Sequence, residues 1–120
     1  MKYMLLIYGN DDLWSSLPPD AMAELIRETD ALNRELFDSG ELVGAYGVAD
    51  QVDARVVRVA DGVLAVTDGP YIETKEYLGS FTIVDCESLE RALEIAARNP
   101  ASRFTSVEVR PIMHESATDV

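Results

Sequence analysis

The sequence predicts an α+β fold: two split β-α-β units around one antiparallel sheet, with a β-hairpin inserted between them. Three observations predict it. Two apolar stripes at helical spacing are each flanked by strand-like runs. An Asp61-Gly62 pair joins two β-rich runs between the halves. No linker, repeat or low-complexity segment divides the 120 residues, which fit one domain.

The elements follow in order. Tyr3 to Tyr8 is a nearly continuous apolar run ending at Gly9-Asn10, as expected of a central strand buried on both faces. A polar loop carrying Trp14 and Pro18-Pro19 follows. Met22, Leu25, Ile26, Leu32, Leu36 and Phe37 then mark one face of a helix. Pro19 suits its first turn, and Asp20 and Glu24 complement its dipole. Gly40 stops it. Leu42 to Val48 is a strand whose Gly44 and Gly47 mark a bulge or a close backbone approach. Residues 54–59 and 63–67 form the hairpin, and Leu78 to Val84 the next strand. Ser88 caps a second helix with Leu89, Ala92, Leu93, Ala96 and Ala97 on one face, stopped by Asn99-Pro100. Thr105, Val107 and Val109 alternate with Ser106, Glu108 and Arg110 in a last strand with one wet face. Residues 1–113 form the domain and 114–120 a C-terminal tail.

This order is the ferredoxin-like arrangement, with two helices on one face of the sheet. The other face is left bare. A two-fold homodimer through that open face would cover it and create a cavity between the sheets.

Composition narrows the partners. Twenty-two acidic residues face ten basic ones, for a net charge of −12. Such a surface repels phosphate backbones and anionic membranes, so neither nucleic acid nor membrane is expected as a partner. No apolar run reaches the ~20 residues of a membrane span, and the N-terminus reads as a strand and not as a signal peptide, so a cytoplasmic protein is expected. The single cysteine, Cys86, forms no internal disulfide, and its neighbours Asp85 and Glu87 are expected to raise its thiol pKa.

The densest chemistry lies in Asp68-Gly69-Pro70-Tyr71-Ile72-Glu73-Thr74-Lys75-Glu76. Gly69 and Pro70 set a turn, and Asp68 can close it as an Asx turn. Glu73, Lys75 and Glu76 exceed what a turn needs. They are either a solvated loop or the mouth of the inter-sheet cavity. In the second case burial raises the pKa of Glu73 and makes it the candidate catalytic acid or base, while Lys75 holds an anion. Glu108 and Arg110 are either a surface ladder pair or cavity-lining groups, with Arg110 gripping a carboxylate. Asp68, Tyr71, Lys75, Glu108 and Arg110 are thus the candidate ligand-binding residues. Tyr8 and Tyr46, near strand ends, could add hydroxyls to a pocket. The one histidine, His114, lies in the tail. Carboxylate spacing fits no metal motif, and no nucleophile elbow or phosphate-binding glycine loop is present, so no metal or cofactor is assigned.

Four stretches give a resemblance: residues 1–8, Val66-Thr67-Asp68-Gly69-Pro70-Tyr71 with Glu73-Thr74-Lys75-Glu76, Leu78-Gly79-Ser80-Phe81, and Val107-Glu108-Val109-Arg110-Pro111. Together they resemble the YCII-related family, in its Asp-Gly-Pro-Phe subgroup. The resemblance implies a ferredoxin-like domain that dimerises as an α/β barrel. It also implies, for some members of the subgroup, company with extracytoplasmic-function sigma factors. The wider family includes proteins with a proposed His-Asp pair, the histidine on the first helix and the aspartate near the end of the second. This chain has no histidine on that helix, and Asn99-Pro100 ends the other. Tyr71 stands for the usual phenylalanine, Ser80 for a common glycine and Pro18 for a capping serine.

Two functions follow as expectations. One is a cavity protein that binds a small metabolite, carboxylated or lactone-like, with acid-base chemistry at Glu73. The alternative is a non-catalytic regulatory or interaction module linked to sigma-factor signalling.

Overall fold

A computed structural model describes residues 1–71 and 74–116. Strand β1 (Lys2–Gly9) leads into a short helix α1 (Asp11–Ser15) and the long helix α2 (Pro19–Asp38). Strands β2 (Leu42–Gly47), β3 (Arg55–Ala60), β4 (Val63–Asp68) and β5 (Tyr77–Asp85) follow. Helix α3 (Leu89–Arg98) and strand β6 (Val107–Pro111) complete the chain. The main sheet has the order β2-β5-β1-β6, and every neighbouring pair is antiparallel. This is the ferredoxin-like order the sequence predicts.

The core lies between the sheet and α2 and α3. Tyr3, Leu5 and Val84 on the sheet pack against Leu32 and Leu36 of α2 and Ala92, Ile95 and Ala96 of α3. Alternation along β1 is regular: odd residues are buried and even ones half-buried. A central strand sealed on both faces is therefore not what one chain builds. Met4, Leu6, Phe81 and Ile83 lie on the face away from the helices.

Helix α2 buries a narrower stripe than its sequence suggests. Leu25, Leu32 and Leu36 are buried, whereas Ile26 and Phe37 are more than half exposed. One sheet on one side covers only one strip of a helix. Pro18 provides no side-chain cap, in keeping with the missing serine. Ser88 does cap α3, accepting from the Arg91 amide at 3.1 Å. Across the gap between α3 and β2, Arg91 grips Glu41 through two nitrogens, each at 2.9 Å.

Two local features differ from the expected loops. Residues 11–15 are helical because the Asn10 side chain accepts from the Leu13 amide at 2.7 Å and two aspartates open the turn. Trp14 then lies on Gly9, where a Cβ would sit 2.5 Å from the indole. Residues 100–103 form a 3-10 turn, started by the Asn99 side chain accepting from the Ala101 amide at 2.9 Å.

Of the two glycines of β2, Gly44 lies at the expected bulge and Gly47 has nothing within 4 Å of where a Cβ would sit. The β2–β5 register shifts between Leu42 and Gly44, and the Tyr46 ring crosses the space a Cβ at Gly44 would need. Tyr46 also meets Phe81, with ring centroids 5.1 Å apart.

The hairpin stands off the body as a separate two-stranded sheet. Asp61 and Gly62 adopt φ of 51° and 77°, the left-handed pair a tight hairpin turn demands. Its base is pinned by Gly69, whose amide donates to the Ala54 carbonyl at 2.8 Å. The radius of gyration, 16.6 Å, exceeds the roughly 13–14 Å of a compact chain of this length, as an arm would make it.

Candidate functional site

A cavity lies between α2 and the helix-facing side of the sheet, near the β2 edge. It holds about 210 Å³. Helix α2 contributes Thr29 and Asn33, one turn apart on the stripe that elsewhere carries Leu25, Leu32 and Leu36. Strand β5 contributes Ser80 and Thr82, two residues apart and so on one face. Asn99 enters from the end of α3, and Ile7 and Ala45 supply apolar wall.

The chemistry of this lining is uniform. Its polar groups are hydroxyls and amides, none of which titrates near neutral pH. Thr29 donates to the Leu25 carbonyl at 2.8 Å, which leaves its oxygen free to accept. The Asn99 side-chain oxygen is held by the Ala101 amide, which leaves its NH2 group free to donate. Thr82 is only 7% exposed. Among the described residues its hydroxyl has no partner within the chain, yet no fully buried polar side-chain atom goes unsatisfied. The hydroxyl therefore keeps its remaining exposure on the cavity. Gly47 widens the mouth, since a side chain there would meet nothing within 4 Å.

The residues singled out for their charge lie elsewhere, in three places. Asp68 and Tyr71 belong to the hairpin arm. The Asp68 carboxylate pairs with Arg55 Nε at 3.1 Å, and Tyr71 is 81% exposed beside Val56, Arg58 and Thr67. Lys75 lines a shallow hollow with Asn10, Asp11, Asp12, Gln51 and Tyr77. There the Tyr77 hydroxyl donates to Asp11, which pushes the phenol pKa up to about 12. Glu108 and Arg110 sit on β6, at the opposite edge of the sheet from β2. Glu108 accepts from the Tyr8 hydroxyl at 3.1 Å and lies 3.4 Å from Arg110 Nε. Burial first, and then this bond to Glu108, raise the Tyr8 pKa. Both residues project, with Tyr8, Met4 and Leu6, from the open face. Glu73 lies outside the described residues.

Cys86 is buried, and its thiol pKa is raised chiefly by that burial, with Glu41 adding repulsion. The direction matches the sequence reading. The main cause is desolvation and not the flanking acids.

Residues 1–116 match the YCII-related domain. The chain belongs to that family. An uncharacterised protein of Rhizobium meliloti, R00369, is 32% identical over 116 residues, covering 93% of this chain and 92% of the relative. Among solved structures, the chain is similar to a 5-chloro-2-hydroxyhydroquinone dehydrochlorinase of Burkholderia phenoliruptrix in complex with 2,5-dihydroxybenzoquinone. The TM-score is 0.52 at 14% identity, with 96% of each chain covered, which makes it a likeness of fold. At the cavity α2, through Thr29 and Asn33, meets the end of α3, through Asn99.

The sequence reading passed over this cavity. Its signal was present: Thr29 and Asn33 interrupt an apolar helical stripe, and Ser80 and Thr82 interrupt an apolar strand face. Polar residues at core spacing are the mark of a lined cavity.

Proposed function

We propose that this YCII-related protein binds a small, uncharged, lactone-like molecule in the cavity between α2 and β5. The observation that carries the reading is the Thr82 hydroxyl, which opens on the cavity from a residue only 7% exposed and has no hydrogen-bond partner among the described residues. A polar group that reaches only a cavity is satisfied there by a ligand oxygen or a water. With free donors from Thr82 and Asn99 and acceptors from Thr29 and Asn33, the lining suits a carbonyl beside a hydroxyl or ring oxygen. It offers a carboxylate no countercharge, and the net charge of −12 disfavours anions generally. Of the two ligand classes the sequence suggests, the neutral one fits this cavity. The structural neighbour is in complex with a small quinone, 2,5-dihydroxybenzoquinone, which agrees in size class.

The proposal extends to assembly and subgroup. Two copies pack through the open face of the sheet, where Met4, Leu6, Phe81 and Ile83 are half-covered. The Asp-Gly-Pro-Tyr run supports membership of the Asp-Gly-Pro-Phe subgroup. Acid-base chemistry at Glu73 and a link to sigma factors have no support from the described residues.

A thermal-shift comparison of wild type, Thr82→Val and Arg110→Ala against small lactones and small carboxylic acids tests the binding. Valine keeps the shape of threonine and removes its hydroxyl. A lactone that raises the melting temperature of wild type and Arg110→Ala, but not of Thr82→Val, is expected. Carboxylic acids that act only when Arg110 is present would move the site to the open face. No response to either class would favour the interaction module.

A further inference from the structure

We infer that the apolar face of the β3–β4 arm is a docking surface for a second copy of this chain. Register places Val57 opposite Val66 and Val59 opposite Leu64, and alternation puts all four side chains on one face. They are 57–64% exposed. Among the described residues no second layer covers them, as that exposure shows. A lone two-stranded hairpin is marginal in water and needs another layer against it.

Charge argues for what that layer is. The arm, residues 55–68, carries Arg55 and Arg58 against Asp61 and Asp68, so it is neutral within a chain of net charge −12. Arg55 and Asp68 also neutralise each other at its base. A basic partner would be drawn to the acidic body, and an acidic one repelled by it. The arm is the part of the molecule on which two like-charged copies can meet with least repulsion.

Area argues the same way. The face is about 20 Å long and 10 Å wide from strand dimensions. That is well short of the roughly 800 Å² per partner of a stable interface. It holds only as an addition to a larger contact. A second copy brings one, in the open sheet face of Met4, Leu6, Phe81 and Ile83. In this the inference rests on the open-face packing proposed above. A two-fold then uses both arms at once.

The test compares wild type with Val59→Asp, Leu64→Asp and Leu6→Asp. Molar mass is followed by light scattering over a range of concentrations, and amide exchange is followed in residues 55–68. The arm residues are exposed in one chain, so their variants keep the monomer's circular dichroism. Expected is a two-chain wild type whose arm amides gain protection as concentration rises. In Val59→Asp and Leu64→Asp the dissociation constant should rise at least tenfold and the concentration-dependent protection should be lost. A two-chain mass unchanged by both arm variants but abolished by Leu6→Asp would overturn the arm and leave the open face standing. A two-chain mass weakened by the arm variants but untouched by Leu6→Asp would support the arm and overturn the open face. A one-chain wild type with an unprotected arm at every concentration would overturn both. A ladder of higher masses would mean edge-to-edge strand pairing and overturn docking by the face.

Discussion

The body of the molecule and its arm are built from the same kind of strand, and one is closed while the other is open. β1 reads Tyr3-Met4-Leu5-Leu6-Ile7 and β3 reads Val56-Val57-Arg58-Val59. Leu5 is 1% exposed and Val59 is 64% exposed. Apolar content does not decide the difference. Helices α2 and α3 lie against the helix-facing side of β1, and among the described residues no second layer lies against the face of β3 that carries Val57 and Val59. Strand pairing satisfies the backbone in both, but only a second layer removes side chains from water.

The largest test of this contrast is truncation in each region. Leu36→Ala, which opens a hole under β1, should cost about 2–5 kcal/mol in urea unfolding. Val59→Ala should cost less than about 0.5 kcal/mol in the single chain, because surface substitutions rarely exceed that. Equal costs would mean that the arm shares the body's core.

A smaller effect is expected where packing is closest. Gly9→Ala drives a methyl into the Trp14 indole. About 1–3 kcal/mol of destabilisation should follow, and most of it should vanish in a Trp14→Ala background. A penalty that persists there would point to the backbone and not the ring.

On the arm, Gly62→Ala places a side chain at a φ of 77°. It should weaken the hairpin by about 1–2 kcal/mol. Exchange should quicken in residues 55–68 while the melting temperature of the body holds. A body that melts earlier would break the independence of the two regions.

The smallest effect is electrostatic and confined to the body. Arg91 holds the Glu41 carboxyl below its ordinary value of 4.5. A depressed acid contributes stability that is present above the unfolded value and lost as pH falls through the folded one. Glu41→Gln should therefore lower the melting temperature most at pH 6–8, and the gap from wild type should close below about pH 4. A gap that does not change with pH would assign the effect to packing.

Much of the fold was legible because its signals are local. The periodicity of α2, the Asp61-Gly62 turn and the Ser88 cap each act within a few residues, and each is found where the sequence puts it. Helix α1 escaped because five residues carry no period, and its anchor, Trp14 on Gly9, is a contact across a turn. The exposure of Ile26 and Phe37 escaped because hydropathy records what a residue prefers, and the number of layers decides what it gets. The candidate site was less legible. Charge drew the reading to Asp68, Lys75, Glu108 and Arg110, which the fold distributes among an arm, a loop and the far edge of the sheet. The cavity is lined by neutral side chains that no charge pattern reveals. They stood out only as gaps in apolar stripes.

The pinned base of the arm has a consequence for how quickly the chain can fold. β1 finds its partners in β5 and β6, far along the sequence, and such distant pairing slows with every residue that must be closed into the loop. The hairpin adds residues 55–68 to that loop, yet a local turn can zip on the microsecond scale. Once Gly69 is bonded to Ala54, the chain runs from one to the other as though the insertion were a single step. An appendage can thus be lengthened at its tip, or exchanged for another hairpin, with little delay to the closure of the sheet that carries it.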